Sequence, residues 1–198
     1  MARYDEAHKA EAQRLIVRHA AERFRRDGIA AVGVRQLMAD VGMTHGGFYT
    51  HFASRDDLVA AAIERAAQST LGYLEEAVAA AAPSGALDAF IATYLGERHL
   101  TEMARGCAAS ALAPEVARQD EAARSRFKQQ NDRIIALLER NLPEGGDKDA
   151  RSARATAIFA CLMGTLQLAR IASAPQDVEQ ILAGGRAAAT SLAHQAWR

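Results

Sequence analysis

Aromatic residues make up only 6% of this 198-residue chain, which holds two cysteines, four prolines and one tryptophan. Few aromatics and few β-branched runs, beside abundant alanine, disfavour sheet and favour helices. Cys107 and Cys161 lie far apart without metal-ligand spacing. That argues against a metal site and, in a cytosolic chain, against a structural disulfide. An excess of charge is missing as well, since 24 Lys+Arg balance 24 Asp+Glu. Neutrality excludes a general nucleic-acid coat protein but not a specific reader that uses a few local phosphate contacts. Long apolar runs are absent too. The most apolar late stretch, 157–169, is interrupted by Thr165 and Gln167 and falls short of the roughly 20 residues of a membrane span. No apolar core follows the charged opening MARYDEAHKAEAQR, so neither a signal peptide nor a membrane partner is expected, and the reading is cytoplasmic. What is present is 49% hydrophobic and 24% charged residues, as in a soluble folded protein. At this length a chain buries about 70% of its unfolded surface, enough for one unit or two small ones.

Residues 34–52, VRQLMADVGMTHGGFYTHF, predict two short helices joined by a three-residue corner. Val34, Leu37, Met38 and Val41 form one apolar stripe at helical spacing. Gly42 follows where a left-handed residue past a helix end is favoured, and the Thr44 hydroxyl is placed to cap a second helix. That helix, starting at His45, buries Phe48 and Phe52 and leaves His45, Gly46, Tyr49 and Thr50 outward. A glycine-containing corner between short helices is the pattern of a helix-turn-helix DNA reader. Upstream, Ile16, Val17, Ala20 and Phe24 mark a helix ending at Asp27-Gly28; downstream, Ser54-Arg55-Asp56-Asp57 has the form of a capping box. The bare glycines Gly46 and Gly47 would let the second helix approach the duplex. Arg35, His45 and Thr50 are candidates for base edges, and Tyr49 and Arg55 for phosphates. Gly33, Val34, Thr44 and His51 complete the candidate DNA-binding set.

The string IVRHAAERFRRDGIAAVGVRQLMADVGMTHGGFYTHFASRDDLV resembles the N-terminal domain of the TetR/AcrR family of bacterial transcriptional regulators. Ala20, Phe24, Gly28, Leu37, Gly42, Phe48, Tyr49, Phe52 and Leu58 carry the resemblance. Gly33, Met38 and His45 depart from it, where the family usually has Thr or Ser, Ala, and a basic residue. The first departure removes a capping oxygen and the third a permanent positive charge. The resemblance implies an all-α protein of about nine helices. A helix-turn-helix domain over 1–54 would precede a helical effector-binding and dimerisation domain over 55–198.

Periodicity and breakers predict a long helix over 55–80 stopped by Pro83 and Gly85. A helix with Leu87, Phe90, Ile91, Tyr94 and Leu95 follows, then an interrupted segment from Met103 to Pro114. A helix carrying Phe127, Ile134, Ile135, Leu138 and Leu142 closes at Pro143. Another runs over about 148–172, and a last one carries Val178, Ile181, Leu182, Leu192 and Trp197. The last two are rich in small residues, among them Ala157, Ala160, Gly164, Gly184 and Gly185, so close helix packing is expected. Either the pair packs only within the chain, or it builds a four-helix homodimer interface, the use the resemblance implies. Readers of this kind bind paired half-sites as dimers.

Tyr94, His99, Asn131, Gln167 and Arg170 put polar groups on or near apolar faces and, with Met103 and Phe127, make a candidate small-molecule effector pocket; each polar residue taken singly reads first as a satisfied core group or an exposed one out of helix register. Cys107 follows Arg105-Gly106, and GCAASALAPEVA resembles a segment of electrophile-sensing members of the family. A basic neighbour and a helix start would lower the thiol pKa, the alternative being a small buried residue. Cys161, mid-helix among apolar neighbours, reads as core packing.

These features combine into a non-enzymatic, cofactor-free DNA-binding regulator. It would act as a homodimeric repressor released from a palindromic double-stranded operator by a small-molecule or thiol-reactive effector. An activator or an effector-blind DNA binder of the same fold shares every N-terminal feature. A thiol hydrolase built on Cys107 and His99 would need an orienting third residue and an oxyanion loop, and the sequence supplies neither.

Overall fold

The computed structural model describes residues 2–195, with side chains from residue 6 onward; Trp197 and the Arg3 side chain lie outside the described residues. Within them the chain is all-α. Nine α-helices run α1 (Ala2–Asp27), α2 (Val34–Asp40), α3 (Arg55–Ala80), α4 (Ala86–Tyr94), α5 (Glu97–Thr101), α6 (Ala108–Val116), α7 (Glu121–Arg140), α8 (Lys148–Ile171) and α9 (Pro175–His194). Two 3₁₀ segments, His45–Thr50 and Pro83–Gly85, complete the order.

Local chemistry sets most boundaries. Gly28 and Gly42 adopt φ of +86° and +75°, where a Cβ is disfavoured, and end α1 and α2. The hydroxyl of Ser54 accepts from Asp57 N at 3.1 Å to start α3, and Asp120 and Asp147 cap α7 and α8 in the same way. Gly33 caps α2 with no side-chain bond, as its missing hydroxyl predicts.

The N-terminal helices pack on the first turns of α3, so Ile16, Ala20, Phe24, Phe48, Leu58 and Ile63 share one core. Asp40 at the end of α2 collects Gln36 from its own helix and His19 and Arg23 from α1. Hydrogen bonding by Gln36, then by His19, holds the Asp40 carboxyl below the usual carboxylate range. Continuing past the N-terminal helices, α3 packs against α4 and α7, while α8 runs alongside α9.

One proline explains a distant contact. Pro114 lies inside α6 and has no N–H to donate to the carbonyl of Ser110, one turn earlier. Gln167 of α8 donates to that carbonyl instead. A residue expected in an effector pocket therefore repairs a helix.

Candidate functional site

The segment expected to be an α-helix from His45 is a six-residue 3₁₀ helix, the tighter form that suits so short a piece. Thr44 caps it through its hydroxyl, which accepts from Gly47 N at 3.3 Å. Phe48 is buried against Phe52, their rings stacked 5.3 Å apart. Tyr49 is 65% exposed and stands edge-on to both Phe48 and His45. His45, Gly46 and Thr50 are also exposed, as expected, and Arg35 of α2 joins them on the surface. Thr50 Oγ1 donates to Gly47 O at 2.7 Å, which fixes its side chain. A Cβ built on Gly46 meets nothing within 4 Å, whereas one on Gly47 lies 3.4 Å from Thr44 Oγ1.

Two of the expected contact residues also serve the fold. Arg55 is exposed, and its Nη2 donates to Ile29 O at 2.7 Å and Val32 O at 3.3 Å, pinning the loop between α1 and α2. His51 is half-buried, its Nδ1 is enclosed without a partner, and its carbonyl accepts from Gln13. It lies at the end of the 3₁₀ segment, tied to α1.

In the C-terminal half, Tyr94, His99, Cys107 and Arg170 converge, but on one another. Tyr94 Oη lies 2.9 Å from Cys107 Sγ, and His99 Nδ1 is 2.9 Å from the carbonyl of Tyr94. Arg170 donates to the carbonyl of His99 through both Nε and Nη2, and Nη1 reaches Ser110 Oγ. Tyr94, His99 and Cys107 are each 0% exposed, so no water-sized space adjoins them. The expected open pocket is a closed polar knot. Gly106 is required beside it: a Cβ there would sit 2.8 Å from Arg170 Nη2 and 3.2 Å from Glu102 O. Met103 lies at the surface, Phe127 of α7 is core, and Asn131 keeps an enclosed Oδ1 without a partner among the described residues.

The expected reactive thiolate is corrected as well. Cys107 does cap α6, its sulfur accepting from Ser110 N at 3.4 Å. Arg105, however, turns outward toward Glu102, and burial pushes the Cys107 thiol up. Cys161, expected in the core, is half-exposed on α8.

Burial also pushes His99 down from 6.5 to about 4. Because a carbonyl only accepts, Nδ1 carries the proton, and Nε2 is enclosed without a partner. An unfolded chain takes up a proton below about pH 6.5 that the folded chain refuses until about pH 4, so stability falls as pH drops through that window. The expected loss between pH 7.5 and pH 5 is about 2 kcal/mol in urea unfolding. His99→Asn, which keeps a donor for the Tyr94 carbonyl, should remove this slope; an unchanged slope would assign it elsewhere.

Residues 16–62 match the family described as bacterial regulatory proteins, tetR family. The N-terminal unit belongs to the tetR family. No curated protein matches the chain by sequence. Solved structures share the tetR regulators' fold over nearly the whole chain. A TetR transcriptional regulator from Chloroflexus aurantiacus is 23% identical, with TM-score 0.77 over 96% of this chain and 98% of that one. A TetR-family regulator from Streptomyces coelicolor is 20% identical, with TM-score 0.73 over 98% and 97%. The reduced form of NemR from E. coli is 20% identical, with TM-score 0.72 over 88% and 95%. Among the described residues no helix is long and apolar enough to cross a membrane, and no group of three or more His, Cys, Asp or Glu could hold a metal ion.

Proposed function

We propose that the chain is a homodimeric transcriptional repressor that reads a near-palindromic operator with residues 33–52. An effector acting on the C-terminal bundle would release it. The observation that carries the reading is the Thr44-capped 3₁₀ segment. It seats Phe48 in the tetR-type core and leaves His45, Gly46, Tyr49 and Thr50 on one open surface beside Arg35. Two such segments must stand about 34–36 Å apart to enter successive major grooves, so a few ångströms of movement in α3 suffice for release. Dimerisation is assigned to α8 and α9, whose outward faces present Ala160, Gly164, Leu168 and Ile171 beside Gly184, Ala187 and Ala188.

The bundle reaches the reading head through the loop between α1 and α2. Glu115 of α6 accepts from Ala30 N at 3.0 Å, while Arg55 of α3 holds the Ile29 and Val32 carbonyls of the same loop. Movement of α6 therefore bears on the residues that lead into α2. Glu115→Ala is expected to weaken operator binding about fivefold, the equivalent of about 1 kcal/mol for one hydrogen bond to a charged acceptor at the surface. Glu115→Gln, which keeps an acceptor oxygen, should lose less. Equal losses in both, measured by fluorescence anisotropy, would show that charge rather than the bond matters.

Selection of duplexes from a random pool tests the function directly. The expected product is an inverted repeat bound by two protomers. Failure to enrich any sequence would overturn the reading.

A further inference from the structure

Between α1, α3 and α5 an open cleft of about 320 Å³ is lined by Glu22, Arg25, Ser69, Arg98, Glu102 and Arg105. Three arginines face two glutamates, so the lining carries a surplus positive charge. Arg25 is the unusual member, a guanidinium only 5% exposed whose one hydrogen bond among the described residues is a long 3.3 Å contact from Nη1 to Ala66 O. The Nε atoms of both Arg25 and Arg98 are enclosed without acceptors. Neither side chain forms an ion pair among the described residues, although Glu22 lies one turn from Arg25 on the same helix. The Arg98 guanidinium lies over the ring of Tyr73, 4.0 Å from its centroid, and its side chain donates no hydrogen bond among the described residues. Burial and the nearby positive charges of Arg65 and Arg98 push Arg25 down to about 10, only partly opposed by Glu22.

Buried donors without acceptors are costly, and two guanidinium forks at one cleft match the planar oxygens of a carboxylate or the tetrahedral oxygens of a phosphate. We propose that this cleft binds a small molecule through an oxyanion group seated on Arg25 and Arg98, with Tyr73 backing the arginine that holds it. This place is distinct from the closed knot around Cys107, and it joins a helix of the DNA-reading unit to the bundle. An anion there pairs with the guanidinium groups that line the cleft and ties α1 to α5.

Full-length protein titrated without DNA provides the test, so failure here leaves the operator reading untouched. Sodium benzoate, sodium phosphate, and sodium chloride at matched ionic strength are compared by thermal unfolding. The expected result is a saturable rise in Tm with benzoate or phosphate beyond that given by chloride. A stronger response to benzoate marks a carboxylate site, and a stronger response to phosphate a phosphate-ester site. Arg98→Gln should raise the apparent Kd about tenfold or more, as the loss of a charge-assisted contact implies. Arg14→Gln, on the wall of a separate cleft, should leave it unchanged. Because Arg98→Gln also removes the stacking on Tyr73, the arginine Nε–H resonances of the unaltered protein give a second measurement. Two of them should shift with the anion. Identical unfolding curves in all three salts, or no movement of any arginine Nε–H signal, would overturn the site.

Discussion

Gly46→Leu is expected to abolish operator binding while leaving the fold intact. The Cβ of residue 46 points into open space and its backbone has no left-handed φ, so the folded monomer accommodates the larger side chain. Surface changes of this kind usually alter stability by less than about 0.5 kcal/mol. On the proposed operator the same space would be filled by phosphate or base edges. A loss of about 1–3 kcal/mol per half-site is carried twice by a dimer, giving about thirtyfold weaker binding at the least and more than about 10⁴-fold at the upper end. Gly47→Leu is the poorer probe, because its side chain would press on Thr44 Oγ1 and disturb the cap of the reading segment. A gel-shift titration with Gly46→Leu at unchanged affinity would remove residues 45–50 from the interface.

Neighbouring glycines on α9 should give opposite phenotypes. A Cβ at Gly184 meets nothing within 4 Å, whereas one at Gly185 would lie 2.2 Å from Thr165 Cγ2 and 2.7 Å from Thr165 Cβ. Gly185 is therefore where α9 approaches α8 within the chain, and Gly184 faces outward. Gly185→Ala should destabilise the monomer. Overpacking of about 3 kcal/mol, offset by about 1 kcal/mol of helix propensity, leaves a net loss of about 2 kcal/mol. Gly184→Leu should leave the urea midpoint of the monomer unchanged and weaken the dimer about a thousandfold. That is about 2 kcal/mol of overpacking from each of two symmetry-related copies. Sedimentation of Gly184→Leu as an intact dimer would move the interface off this face of α9.

Elements governed by near neighbours in the chain were legible in the sequence. Gly28 and Gly42 announce helix ends because their φ is a local matter, and Thr44 and Ser54 cap the residues just after them. Leu37 and Met38 of the α2 stripe and Phe48 and Phe52 of the next segment are buried as their spacing implies, while Val34 and Val41 are half-buried. What escaped depends on partners distant in sequence. Arg55 reads as a free cation until the carbonyls of Ile29 and Val32 are seen beside it, 26 and 23 residues away. Arg105 stands two residues before Cys107, yet burial by distant helices, and not that neighbour, decides the thiol. Asp120 caps α7 through a residue three positions on, whereas the tie between Glu115 and Ala30 spans 85 residues and leaves no local trace. Pro114 was visible as a breaker, but the donor that repairs its helix comes from 57 residues beyond Ser110.

The 3₁₀ form of the reading segment bears on how long an address the protein can spell. Six residues at about 2.0 Å rise extend about 12 Å, the length of three to four base pairs. Two half-sites read edge by edge then specify about seven positions, or roughly one site in 10⁴ random sequences, against the 10⁶ or more competing sites of a genome. The shortfall of about a hundredfold has to come from the fixed span between the half-sites and from the bendability of the untouched base pairs between them. Altering the spacer of the operator, by length or by stiffness, would then blur the address as effectively as changing a letter the protein touches.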